Sequence, residues 1–240
     1  MRLLLLSNST APGKRYLEHA MDMLAETLAG VRRLVFVPFA LAGHDAYTAQ
    51  VARVLEPLGV DVAGAHESDP IELLDSAQAV FVGGGNTFRL LRELYARELL
   101  APIRSRAARG TVYIGSSAGT NVACPTIRTT NDMPIAHPPS FEAAGLVPFQ
   151  INPHYLDPLP SGRYMGETRE ERIAQFLECN DAPVLGLREG TWLVIRESSV
   201  TLGGVTAGAR LFRRGTEPEE FGPGADLSGL LDTLPRFDLP

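Results

Sequence analysis

One short stretch concentrates residue types that could do chemistry. Tyr113-Ile114-Gly115-Ser116-Ser117-Ala118-Gly119 runs from an apolar, strand-like segment straight into Gly-x-Ser-x-Gly. Small residues on both sides let a serine occupy a tight strand-to-helix bend, with Oγ exposed and the next backbone N–H free to hold an oxyanion. Ser117 is then the candidate nucleophile for acyl transfer. Without context, Gly-x-Ser-x-Gly reads more readily as a helix cap after a glycine turn. Its place at a strand end, where open α/β sheets gather their ligands, tips the reading toward chemistry.

A second candidate loop is Gly83-Gly84-Gly85-Asn86-Thr87, between a buried apolar run and the helical run Phe88, Leu90, Leu91, Leu94. Successive glycines let backbone N–H groups approach an anion closely, here a developing oxyanion. A dinucleotide fingerprint would need glycine where Phe88 stands, and a Walker loop would need Gly-Lys-Ser/Thr, which is absent. A plain structural turn is as good a reading of this loop taken alone.

A serine nucleophile needs a base, and the chain has five histidines. His19 falls in an amphipathic helical segment and His44 and His66 in polar loops, so each is expected to be solvated. His137 and His154 follow Ser117 in a proline-rich stretch, and His154 ends Ile151-Asn152-Pro153-His154, where proline fixes the approach to the imidazole. Glu189, in Leu187-Arg188-Glu189-Gly190, stands at the end of a buried run and is the candidate for orienting the base; a surface turn carboxylate is the simpler alternative.

These residues need elements to position them. Leu3–Leu6, Leu34–Val37, Val60–Val62, Ala79–Val82 and Thr111–Ile114 are short apolar runs of the kind that form buried parallel strands. Between them lie segments of helical period, such as Leu17, Ala20, Met21, Leu24 and Leu28. Asp69-Pro70-Ile71-Glu72 signals a helix start, and Thr168-Arg169-Glu170-Glu171 offers a capping box. The alternation predicts an α/β fold, a doubly wound, mostly parallel sheet flanked by helices. Prolines 125, 134, 138, 139, 148, 153, 158 and 160 deny long regular elements to the middle of the chain. Val184–Leu187, Trp192–Ile195, Val200–Leu202 and Arg210–Phe212 then predict, from their hairpin-like spacing, antiparallel strands forming a sheet edge near the C-terminus. Residues 1–214 read as a single hydrolytic domain and 215–240 as a Pro/Gly/acidic, poorly ordered tail.

Composition narrows the class. The chain has 240 residues, 45% apolar and 21% charged, with a formal charge of −6; this is globular material, not disorder. Net acidity, with no dense Lys/Arg cluster, excludes a nucleic-acid footprint. Two cysteines make no disulfide framework and no zinc spacing, so no metal or other cofactor is expected. The Leu3–Leu6 run is too short for a secretory signal or a membrane span, and a cytoplasmic location is expected.

Several long motifs occur in one order: Leu4-Leu5-Leu6-Ser7-Asn8-Ser9-Thr10, Gly83 to Phe88, Cys124 to Pro134, Ile151 to His154 and Gly166-Glu167-Thr168-Arg169. Together they resemble the peptidase E family of cytosolic aspartyl dipeptidases, from the N-terminus to about Trp192. The resemblance implies a fold like the class I glutamine amidotransferases and a homodimer acting on small peptides. It also implies a Ser-His-Glu triad on Ser117, His154 and Glu189 and an oxyanion hole from the N–H groups of Gly85 and Ala118. Asn86, Asp132 and Arg169 are the candidate substrate contacts, and the resemblance points to Arg169. Arg169 suits the aspartyl β-carboxylate, since a guanidinium fork binds it bidentately, although an arginine in a Thr-Arg-Glu-Glu-Arg run more often forms exposed pairs. Asp132 suits the substrate ammonium. Ser116 stands where this family usually has tryptophan, and the segment after about Gly215 matches nothing in it.

The expected activity is therefore a serine exopeptidase that hydrolyses Asp-X dipeptides. The alternatives are a cyanophycinase-like hydrolase of β-Asp-Arg linkages, which Asp132 and its flanking residues disfavour, and a non-catalytic amidotransferase-like binding protein. The second is disfavoured by retention of all three triad residue types.

Overall fold

The computed structural model of the chain describes residues 1–158, 166–204 and 207–240. The five apolar runs form β1 (Arg2–Leu6), β2 (Arg33–Val37), β3 (Asp61–Gly64), β4 (Ala79–Val82) and β5 (Val112–Ser116). Six more strands follow: β6 (Gln150–Tyr155), β7 (Val184–Arg188), β8 (Thr191–Arg196), β9 (Ser199–Gly204), β10 (Ala209–Phe212) and β11 (Glu219–Phe221). The helices are α1 (Met21–Thr27), α2 (His44–Leu55), α3 (Pro70–Ser76), α4 (Thr87–Ala96), α5 (Leu100–Ala108), α6 (Ala118–Ala123) and α7 (Arg169–Cys179).

The larger sheet has the order β3-β2-β4-β5-β1-β8-β9. Its first five strands are parallel, and β8 and β9 add to the β1 edge antiparallel. The apolar runs are continuous because the sheet is covered on both faces. Leu3, Leu5, Val35, Val37, Val80 and Val82 turn to one side, against Leu90 and Leu94 of α4, Ile103 of α5 and Val122 of α6. Leu4, Leu6, Phe36, Phe81 and Ile114 turn to the other, against Leu24 of α1 and Val51 and Leu55 of α2. The mixed α/β, mostly parallel architecture read from the sequence is what the chain forms.

Helix starts follow local chemistry. Asp69 accepts the N–H of Ile71 at 2.8 Å ahead of α3. Thr168 accepts the N–H of Glu171 at 3.2 Å while Glu171 accepts the N–H of Thr168 at 2.6 Å, a closed capping box for α7. The helical period from Leu17 is only partly α-helix: a 3-10 turn over Glu18–Ala20 precedes α1.

Two expectations need correction. The late strands do not make one sheet edge. β8 and β9 join the larger sheet, whereas β7 and β10 enter a second sheet of order β11-β10-β7-β6. Only Glu189 and Gly190 separate β7 from β8, so the chain passes from one sheet to the other at that point. β6 lies at the open edge of the second sheet, where a strand tolerates Pro153. The segment 215–240 is also not a loose tail. β11 pairs with β10, Leu227 and Leu230 are buried in the cluster that contains Leu193 and Leu202, and the N–H of Leu227 donates to the carbonyl of Val200. Its Pro, Gly and acidic content masks two apolar anchors and a set of backbone bonds. Pro160, the last of the expected breakers, lies outside the described residues.

Candidate active site

Ser117 sits at the junction of β5 and α6 with φ 52° and ψ −105°, a region non-glycine residues seldom occupy. The flanking glycines are there because backbone comes too close for a side chain. A Cβ on Gly115 would lie 2.6 Å from the carbonyl oxygen of Gly119, and one on Gly119 would run into that of Val82. Side chains lock the bend. The Tyr113 hydroxyl donates to the Gly119 carbonyl at 2.7 Å, and Thr120 Oγ1 donates to the Leu6 carbonyl at 2.7 Å.

His154 reaches Ser117 from the second sheet. The β6–β7 register shifts between Pro153 and Tyr155, and His154, at that irregularity, has φ 52°. Its Nε2 lies 2.9 Å from Ser117 Oγ and its Nδ1 lies 2.6 Å from Glu189 Oε1. With Nδ1–H donating to the carboxylate, Nε2 is left as the acceptor for the serine proton. Both side chains are a little over one-third exposed.

The end of β1 ties these pieces together. Ser7, fully buried, accepts the N–H of His154 at 3.0 Å and donates to the Leu187 carbonyl at 2.7 Å. Asn8 Oδ1 accepts the N–H of Gly190 at 2.8 Å, beside Glu189. The sequence places Ser7 and Asn8 in a motif of the family resemblance, at the end of an apolar run, without giving either a role.

The glycine loop faces the same bend. Gly84 packs so closely that a Cβ would stand 3.3 Å from Ser117 Cβ, and Gly85, at φ 134°, would put one 2.7 Å from the Ala40 carbonyl. The Gly84 N–H donates to the Tyr47 hydroxyl at 2.9 Å. Among the described residues, no backbone acceptor outside the regular elements takes up the N–H of Gly85 or Ala118.

Asn86 and Asp132 have structural partners. Asn86 caps α4, accepting the N–H of Arg89 at 3.0 Å, and donates to the Met133 carbonyl at 2.9 Å. Asp132 Oδ2 accepts the N–H and hydroxyl of Thr87 at 2.7 and 2.6 Å. Asp132 also lines a cleft of about 480 Å³ together with Ser117, His154, Gly85, Tyr16 and Tyr47. Arg169 opens α7 and is half-buried, and it is not among the described residues that line this cleft. A hollow of about 560 Å³ between α2 and β3, lined by Arg53, Glu56 and Asp61, contains none of the motif residues.

Two of the remaining histidines depart from expectation. Both ring nitrogens of His19 are buried, and burial pushes its pKa below the usual value. His66 is largely buried and meets Asp45 at 2.7 Å. Ser116 is buried, and its hydroxyl has no hydrogen-bond partner among the described residues. No described helix is long and apolar enough to cross a membrane, and the described residues contain no group of three or more His, Cys, Asp or Glu able to hold a metal.

Residues 3–203 match the model of peptidase family S51. The chain belongs to peptidase family S51. It is 59% identical over 239 residues to peptidase E of Streptomyces coelicolor, covering 99% of this chain and 98% of that one. It is 53% identical over 234 residues to a Drosophila melanogaster protein named "Probable alpha-aspartyl dipeptidase", covering 95% and 97%. A crystal structure of a peptidase from an acI-B1 actinobacterium shares the fold at a TM-score of 0.66 and 17% identity, covering 94% of this chain and 96% of that one. The S51 chain is thus a serine peptidase, and the Ser117 bend lies within the matched span.

Proposed function

We propose that this S51 peptidase removes N-terminal aspartate from dipeptides, with Ser117, His154 and Glu189 as its catalytic residues. The observation that carries the reading is the unbroken contact chain of 2.9 and 2.6 Å from Ser117 Oγ through the imidazole to Glu189. His154 Nε2 takes the Ser117 proton as Oγ attacks the peptide carbonyl carbon. The N–H groups of Gly85 and Ala118 stabilise the oxyanion. Collapse breaks the C–N bond, and the imidazolium gives its proton to the departing amine. Water, deprotonated by His154, then releases aspartate from the acyl-enzyme. Glu189 holds the Nδ1–H and stabilises the cation through both steps.

The name of the Drosophila relative supports aspartate as the first residue. Asp132, with a carboxylate in the cleft, suits the substrate ammonium, and Arg169 is the proposed cation for the β-carboxylate. Asn86 contributes by holding α4 and the Met133 loop beside the cleft. A cytoplasmic homodimer is the assembly that the family resemblance implies, and sedimentation reads it directly.

The test is an Asp-X dipeptide panel with wild type and Ser117→Ala, beside a β-Asp-Arg substrate. Cleavage of Asp-Leu that vanishes in the variant is expected. Preference for the β-linked substrate, or equal activity in Ser117→Ala, overturns the reading.

A further inference from the structure

Tyr47 and Gln50 lie one turn apart on α2 and, with Ser9 and Tyr16, line the cleft that holds Ser117 and His154. These four are neutral hydrogen-bonding side chains, and no lysine or arginine is among the described residues lining the cleft. On this wall a substrate carboxylate meets hydroxyls and the Gln50 amide, while the ionisable lining residues, Asp132 and His154, belong to the rest of the cleft.

Tyr47 is the best fixed of the four. It is 6% exposed, and its ring packs edge-on against Phe36 at 4.8 Å between centroids and against Tyr16 at 6.2 Å. The glycine loop makes room for it, since a Cβ on Gly83 would stand 2.8 Å from its hydroxyl. That hydroxyl accepts the Gly84 N–H at 2.9 Å and lies 3.4 Å from the Tyr16 hydroxyl, which is placed to donate to it. Two phenols carry two protons. The Gly84 bond occupies a lone pair, and the contact between the phenols consumes one proton at most, so at least one remains for an acceptor in the cleft. Burial pushes both phenols above their usual pKa, which keeps them neutral donors across the working pH range.

We propose that the Tyr47 hydroxyl donates a hydrogen bond to a carboxylate oxygen of the substrate, with Tyr16 supporting it, so that this wall forms a neutral carboxylate subsite. The proposal rests on the dipeptidase reading above. A hydroxyl-to-carboxylate bond is short and charge-assisted. A neutral donor also adds no second fixed charge beside the His154–Glu189 pair. An Asp-X dipeptide carries two carboxylates of the same chemistry, the aspartyl β-carboxylate and the C-terminal one.

The experiment compares wild type, Tyr47→Phe and Tyr16→Phe on Asp-Leu, Asn-Leu and Asp-Leu amide, with thermal melts as a check on folding. Tyr47→Phe should lower kcat/KM for Asp-Leu by tenfold or more. That loss should disappear with Asn-Leu if the β-carboxylate is the partner, and with Asp-Leu amide if the C-terminal carboxylate is. Tyr16→Phe leaves the Gly84 acceptor in place and should show the same selectivity with a smaller loss. Equal losses on all three substrates, as a disturbed oxyanion loop would give, overturn the proposal, as does an unchanged kcat/KM. Calorimetric binding of intact Asp-Leu, which carries both carboxylates, in a Ser117→Ala background with and without Tyr47→Phe separates this idea from the dipeptidase reading. Weakened binding in Tyr47→Phe upholds the subsite even if wild type cleaves no Asp-X peptide, and unchanged binding in that case removes it.

Discussion

Ser117 and His154 stand on different sheets, yet both have φ of 52° and their side chains meet at 2.9 Å. Each is a non-glycine residue in a sparsely populated backbone region, and such residues persist only where the surrounding structure over-determines them. At Ser117 that surrounding is the glycine-lined bend tied by Tyr113 and Thr120; at His154 it is the shifted β6–β7 register and the Ser7 hydroxyl. The backbone irregularity turns each side chain toward the other. If the imidazole works in this geometry, His154→Ala should lower kcat nearly as far as Ser117→Ala, and Glu189→Gln less far. The double variant Ser117→Ala/His154→Ala should lose little more than either alone. Steady-state kinetics on Asp-Leu checks this, and full activity in His154→Ala would redraw the site.

The two adjacent serines should separate cleanly. Ser116 belongs to β5, is buried, and has a hydroxyl with no hydrogen-bond partner among the described residues, whereas Ser117 lines the cleft. Ser117→Ala should lower kcat by on the order of 10⁴ or more. Ser116→Ala removes a hydroxyl with no partner and should leave kcat within about threefold, since no hydrogen bond is lost. Comparable losses from both would show that the bend does not select one of them.

Ser7 gives a sharper test of positioning. Its hydroxyl is the acceptor for the His154 N–H and a donor to Leu187, so Ser7→Ala leaves a buried donor without its partner. Such a group costs about 1–3 kcal/mol. We expect kcat to fall about tenfold with KM little changed, and the rate of Ser117 labelling by a serine-directed phosphonate to fall in parallel, because the base is misaimed. A fall in melting temperature with kcat and labelling unchanged would reduce Ser7 to a purely structural tie.

Arg188, next to Glu189, supplies a pH test of stability. It donates to Asp157 at 2.8 and 2.6 Å and to Glu220 at 3.0 and 3.1 Å, bracing the end of β7 against the chain beyond β6 and against β11. The Arg188 hydrogen bonds hold the Asp157 carboxyl below its usual value of 3.8. A depressed native pKa contributes stability that is complete above 3.8 and is lost as pH falls through the lower native value. Asp157 is half-exposed, which screens the pair. Arg188→Met should therefore cost about 1–2 kcal/mol at pH 7. The gap to wild type should narrow as the pH falls through that range, while the loss of the Arg188 bond to the Ala207 carbonyl at 3.0 Å keeps it from vanishing. Melting curves from pH 7 to about pH 3 read this directly, and a constant gap would mean that the pair contributes nothing.

The amino-acid sequence by itself determined what depends on neighbours in the chain. Continuous apolar runs required a sheet covered on both faces, Asp69 and Thr168 started helices by accepting their free N–H groups, and Gly115 and Gly119 marked Ser117 as the residue at a bend too tight for side chains. Only the tertiary structure decided what depends on distance. His154 and Ser117 are 37 positions apart and His154 and Glu189 35, and the imidazole reaches both because the chain changes sheets at Glu189-Gly190. Leu227 and Leu230 find a pocket beside β9 that no local pattern announces. The sequence assigns no role to Ser7 or Tyr47, because a hydroxyl carries no local sign of the partner it will meet. Periodicity and capping are properties of a few consecutive residues, whereas a hydrogen bond across two sheets is fixed by packing of the whole core.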